Sequence, residues 1–125
     1  MENSNNIIVR VANESDTHYA QQIVDEMASS AKARGTGIAK RTPEYVANKM
    51  HEGKAVIALT PDGSWVGFCY IEEWSHGAFV ANSGLIVSPE FRKSGVAKRI
   101  KETIFALSRK KYPDAKIGGL TTGLA

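Results

Sequence analysis

Hydrophobic and polar positions alternate along this chain with two different periods, and the changes of period mark out its elements. Ile7 to Val11, IIVRV, is β-branched and strand-like, with Arg10 interrupting the apolar run. Asn13-Glu14-Ser15-Asp16 closes that strand with turn and helix-start residues. Ala20, Ile23, Val24, Met27, Ala28 and Ala31 then recur at spacings of three and four, which predicts a helix with all six on a core face. Lys32 to Arg41, KARGTGIAKR, loses the period and carries two glycines and four basic side chains, so it reads as a mobile basic connection. Thr42-Pro43-Glu44 supplies an N-cap, a first-turn proline and an acid for the dipole of a second helix, and Gly53 ends it.

The pattern then switches to strands. Ala55 to Thr60 is short and apolar, and Pro61-Asp62-Gly63-Ser64 is a turn that makes a hairpin with Trp65 to Trp74. That second arm is apolar on both faces until Glu72 and Glu73, which suits a central strand covered by helices on one side and by chain or ligand on the other. Ser75-His76-Gly77 makes the next turn, and Phe79 to Val87 returns as a third strand of an antiparallel meander. Its polar middle, Asn82-Ser83-Gly84, marks a place for a β-bulge. Val96 to Lys111 carries Val96, Ile100, Ile104 and Leu107 at core-helix spacing. Lys116 to Leu120 follows Tyr112-Pro113-Asp114 as a strand that the helical crossover makes parallel to the third.

Composition narrows the setting. A chain of 125 residues with 42% hydrophobic content supports one core and one domain over residues 1–125. A formal charge of +3 is too mild to argue for nucleic acid. One cysteine, Cys69, permits no internal disulfide or multi-thiolate zinc site and reads as a buried thiol in a reducing, cytoplasmic setting. No apolar run reaches the ~20 residues of a membrane span. His18, His51 and His76 are far apart and form no metal or triad pattern.

The candidate chemistry lies between the third strand and the last helix. Leu85, Ile86 and Val87 fit a buried strand, Pro89 removes a backbone donor and ends ladder pairing, and Arg92-Lys93-Ser94-Gly95-Val96-Ala97 opens a helix. Unpaired N–H groups and the positive end of the dipole favour a phosphate there, with Arg92 and Lys93 as mobile charges beside them.

Arg92-x-x-Gly95-x-Ala97, after an apolar strand and V-x-P and before an amphipathic helix, resembles the Q/R-x-x-G-x-G/A signature of the GCN5-related N-acetyltransferase (GNAT) superfamily. The resemblance implies an α/β (α+β) fold with a mixed sheet: an antiparallel meander, a crossover helix and a late parallel strand. It implies acetyl-CoA as co-substrate with no metal, held by Arg92, Lys93, Ser94, Gly95, Val96 and Ala97. A main-chain N–H near Leu85, Ile86 and Val87 would polarise the thioester oxygen. The activity implied is acetyl or acyl transfer to a primary amine of a small molecule such as an amino acid, with no nucleic-acid or membrane partner. Arg34, Lys40 or Arg41 in the basic connection would pair with an acceptor carboxylate.

Two features depart from the family pattern. The glutamate that many members carry on the motif strand falls near Ala81 here, which leaves Glu72 and Glu73 as candidate general bases; alternation sends them to opposite faces. Complete members also continue with a further helix and strands, where many carry a tyrosine acid. The chain is therefore expected to be the N-terminal two-thirds of such a domain, poorly active alone, with its Lys116–Leu120 edge open to a second copy as a homodimer. Two rivals stand beside this reading: a non-catalytic acyl-CoA-binding or regulatory module, and a nucleic-acid binder using RKSGVAKRIK as a basic helix.

Overall fold

The computed structural model describes residues 6–33 and 41–118. Five strands, β1 (Ile8–Val11), β2 (Ala55–Leu59), β3 (Trp65–Trp74), β4 (Phe79–Val87) and β5 (Lys116–Gly118), form one sheet in sequence order. The first four are antiparallel neighbours, and β5 runs parallel to β4. Helices α1 (Ala20–Ala33) and α2 (Pro43–His51) connect β1 to β2, and α3 (Val96–Lys111) makes the crossover that a parallel pair requires. The fold class read from the sequence is the one observed. No helix among the described residues is long and apolar enough to cross a membrane.

The sheet is buried on both sides, which explains the apolar run of β3. Cys69 and Ile71 face α3 and join Val80, Val96, Ile100 and Ile104 in one core. Phe68 and Tyr70 face the other way, with Ile23, Val46 and Met50 of α1 and α2. Helices thus cover both faces of the strand, where the sequence reading placed helices on one side only. Gly67 lets α3 approach: a Cβ there would lie 2.6 Å from Ile100 Cδ1. Ala28 does not share the predicted core face of α1 and is exposed, because five residues on from buried Ile23 it is turned about 140° away.

Local signals account for the ends of the elements. Thr42 caps α2, with its hydroxyl accepting from the Tyr45 N–H at 3.0 Å, and Pro43 follows at the first helical position. Arg10, which interrupts the apolar pattern of β1, forms a two-pronged pair at 2.8 Å with Asp16, and Asp16 also accepts from the Asn13 N–H at 2.8 Å. The polar middle of β4 is bulged: Tyr70 is opposite Ser83 while Phe68 is opposite Ile86. Gly84 sits in this bulge at φ +68°, and Tyr70 fills the space a side chain would need, with Cε2 2.2 Å from an added Cβ.

Candidate active site

Two structural features meet around β4. The first is its outer edge. Among the described residues β5 pairs with β4 only at Phe79, Val80 and Ala81, so no described strand lies beside the edge from Asn82 to Val87. The side chains there belong to the cores: Val87 packs on the α3 side and Ile86 on the α1–α2 side, with Leu85 half-buried against the former. What is left for chemistry is the outward backbone, the N–H groups of Leu85 and Val87, since that of Ile86 is turned to Phe68 of β3.

The strand ends at Ser88, whose N–H still donates to the Val66 carbonyl at 2.7 Å, and a single 3₁₀ turn at Pro89–Phe91 leads to α3. Gly95 is the N-cap of α3 at φ +86°, with nothing within 4 Å of the position a Cβ would take. The donors beside it are fewer than the sequence suggests. The Ser94 N–H already donates to the Phe91 carbonyl at 3.1 Å, and the Ser94 hydroxyl accepts from the Val96 N–H at 3.3 Å. Val96 itself is a core side chain. Among the described residues no hydrogen bond occupies the N–H groups of Gly95 or Ala97, and Lys93 is exposed beside them.

Arg92 is exposed but not the mobile charge expected from the sequence. Its guanidinium pairs with Glu26 of α1 at 2.7 Å and its Nε donates to the Val87 carbonyl at 3.1 Å. The arginine therefore fixes α1 against the turn that presents Gly95.

The second feature is a cleft of about 470 Å³ on the α1–α2 side, lined by Arg41, Thr42, Tyr45, Glu72, Trp74 and Ser83. Alternation along β3 puts Glu72 on the face that carries the buried Phe68 and Tyr70, and there it lines the cleft. The Tyr45 hydroxyl donates to Glu72 Oε1. Burial first, and that hydrogen bond second, push the Tyr45 phenol well above its usual value, so it stays protonated as a fixed donor. Arg41 Nε donates to the Tyr70 hydroxyl at 2.7 Å, a contact that raises its pKa. Lys49 is buried beneath the floor, with Nζ donating to the Ile71 carbonyl at 2.8 Å and standing 5.5 Å from the centroids of both tyrosine rings.

Glu73 lies on the opposite face. It accepts from Lys54 Nζ at 3.0 Å, and contacts with Tyr112 and then Lys54 hold its carboxyl below the usual range. It does not enter the cleft. Arg34 and Lys40 lie outside the described residues. His18, His51 and His76 remain apart; among the described residues no group of side chains converges as a metal site. Sequence reading missed Tyr45, Tyr70 and Trp74. Tyr45 shares its helix with Thr42, but nothing local says that it meets a residue 27 positions later.

The architecture built from these elements recurs in solved structures. The fold is that of the GCN5-related N-acetyltransferases. N-acetylglutamate synthase from Neisseria gonorrhoeae, complexed with coenzyme A and N-acetylglutamate, superposes with a TM-score of 0.64 at 19% identity, over 83% of this chain and 23% of the synthase. A Mycobacterium tuberculosis protein solved with CoA gives 0.67 at 19% identity, over 92% of this chain and 64% of the other. A Staphylococcus aureus protein described as a GNAT-family acetyltransferase gives 0.67 at 19%, over 90% of this chain and 98% of its own. This chain thus spans under a quarter of the gonococcal synthase and less than two thirds of the mycobacterial protein. No protein-family model matches the chain, and no curated protein does.

Proposed function

We propose that this protein is an N-acyltransferase that moves an acyl group, acetyl in the simplest case, from acyl-CoA to the primary amine of a small molecule such as an amino acid. One observation carries the reading: the bulged, open-edged half of β4 runs into a helix whose glycine cap has clear space in front of it, next to a cleft that holds a carboxylate. The cap fits a CoA pyrophosphate, because the N–H groups of Gly95 and Ala97, the dipole of a 16-residue helix and Lys93 all favour an anion there. A side chain at Gly95 would occupy the anion's place and strain the backbone.

In this reading acyl-CoA supplies the activated thioester, whose C–S bond breaks as the N–C bond of the product forms. The backbone N–H groups of Leu85 and Val87, which point away from β3, are the donors available to the thioester oxygen. Glu72 takes the proton lost by the acceptor nitrogen, and Tyr45 holds one carboxylate oxygen so that the other faces the amine. Glu73, tied to Lys54 across the sheet, takes no part.

Calorimetry with CoA and a thioester-consumption screen against a panel of amines, both on the full-length protein, test this. CoA binding that Gly95→Glu weakens at least tenfold, with an amine-dependent loss of thioester, is expected. Binding unchanged by the substitution would overturn the cradle. Tight CoA binding with no thioester consumed by any amine would overturn transfer in favour of a non-catalytic acyl-CoA-binding module.

A further inference from the structure

Helix α2 holds the central strand at two points one helical turn apart, and both lie at Glu72. The Tyr45 hydroxyl donates to the Glu72 carboxylate, and Lys49, on the same face of the helix, donates from Nζ to the Ile71 carbonyl at 2.8 Å. That carbonyl belongs to the peptide unit that joins Ile71 to Glu72. One contact therefore fixes the side chain, and the other fixes the main chain that carries it.

The Lys49 contact takes the place of a rung of the sheet. β2 begins at Ala55, opposite Tyr70, so the next pair along the two strands would be Lys54 with Ile71. In an antiparallel ladder such a pair exchanges two hydrogen bonds. The Ile71 N–H does donate to the Lys54 carbonyl at 2.8 Å, but the Lys54 N–H is diverted to the Lys49 carbonyl at 2.9 Å, where α2 runs out. The backbone of Lys49 thus draws off the donor that Ile71 would have received, and its ammonium supplies another. From Glu72 onward β3 is paired with β4 and has no described strand on its other side, so this rung is the last one before the carboxylate.

A buried ammonium is a costly group with which to complete one rung. Lys49 is 8% exposed, on the side of α2 that also buries Val46 and Met50 in the core, where an apolar residue would carry no desolvation cost. What the charge adds is a second set of partners. Nζ stands 5.5 Å from the ring centroids of both Tyr45 and Tyr70, which meet each other edge to face. The ammonium is therefore the common partner of the ring whose hydroxyl holds Glu72 and of the peptide that precedes it.

We propose that Lys49 is a positioning residue for Glu72, its ammonium fixing together the Ile71–Glu72 peptide and the tyrosine that orients the carboxylate. The proposal rests on the reading of Glu72 as the base in acyl transfer. Buried beneath the floor of the cleft, Lys49 acts on turnover through Glu72.

The test compares Lys49→Met in two backgrounds of the full-length protein, native and Glu72→Gln, by steady-state kinetics with acetyl-CoA and an amine that the native protein acylates, and by calorimetry with CoA. In the native background kcat should fall about tenfold, with CoA affinity and KM for acetyl-CoA unchanged. In the Glu72→Gln background the same change should cost no further turnover, because the group it positions is already gone. Lys49→Arg, which keeps a cation and a donor, should recover part of the loss. Should Lys49→Met fail to fold in thermal melts, Lys49→Gln, with a donor on a shorter stem, is carried through the same comparison. Turnover unchanged in the native background, or a loss as large in Glu72→Gln as in the native protein, would overturn the positioning role while leaving acyl transfer standing. Failure of the native protein to consume thioester with any amine would instead remove the acyl-transfer reading, and this role with it.

Discussion

The Tyr45 hydroxyl donates to the carboxylate of Glu72, which joins the second helix to the far end of the central strand at the floor of the cleft. Because the phenol stays protonated, it orients Glu72 without competing for the proton that Glu72 would take. Tyr45→Phe keeps the ring and its edge-to-face contact with Tyr70 but removes the donor. We expect kcat to fall about tenfold with KM for acyl-CoA unchanged, and stability to change by no more than ~1 kcal/mol. Steady-state kinetics with a thermal melt check this; a fall in KM for acyl-CoA in parallel would mean the ring acts on the cofactor side.

Glu72 and Glu73 are adjacent in sequence and opposite in consequence. Glu72→Gln is expected to lower turnover about 100-fold or more with CoA affinity intact. Glu73→Gln should leave turnover within about twofold and cost roughly 0.5 kcal/mol, because its pair with Lys54 is a part-exposed one. Equal losses of turnover in the two variants would contradict the assignment of faces.

Gly84 holds the bulge of β4 at φ +68° against the ring of Tyr70. Gly84→Ala puts a methyl group within 2.2 Å of a buried ring carbon and strains the backbone as well. Destabilisation by about 2 kcal/mol or more is expected in denaturant melts. Gly95→Ala, with the same sign of φ but open space, should cost only about 1 kcal/mol.

Asp16 is buried, and its hydrogen bonds with Arg10 are the largest cause holding its carboxyl below the ordinary value. A carboxyl with a depressed folded-state pKa contributes stability that is present above the unfolded value of about 4 and is lost as pH falls through the folded value. Asp16→Asn should therefore cost about 2 kcal/mol at pH 7 and progressively less below pH 4. Chemical denaturation at pH 7, 4 and 3 measures the convergence, and a constant difference across those pH values would show that charge is not the source.

Much of the fold was legible because it is local. The bounds of β3, β4 and α3 follow from turn residues and apolar period, and Gly95 announced the helix start that the structure caps with positive φ. The bulge was legible as a polar interruption in an apolar strand. The alternation of Glu72 and Glu73 was also written in the strand period, although not which of them would face the cleft.

What the sequence by itself determined were the elements, their order and the glycine cap, since torsional preference and periodic burial act over a few residues. The partners of the polar side chains were decided only by tertiary structure. Arg92 reads as a loose cation until folding brings Glu26, 66 positions earlier, within 2.7 Å. Ser108 of α3 is fully buried, its hydroxyl accepting from the side-chain amide of Asn82 of β4 at 2.7 Å across 26 positions. Arg41 meets Tyr70 across 29 positions and Tyr45 meets Glu72 across 27. Such pairs depend on which strands become neighbours and on which face each side chain is turned to, because a hydrogen bond acts only over about 3 Å and only once the sheet has formed.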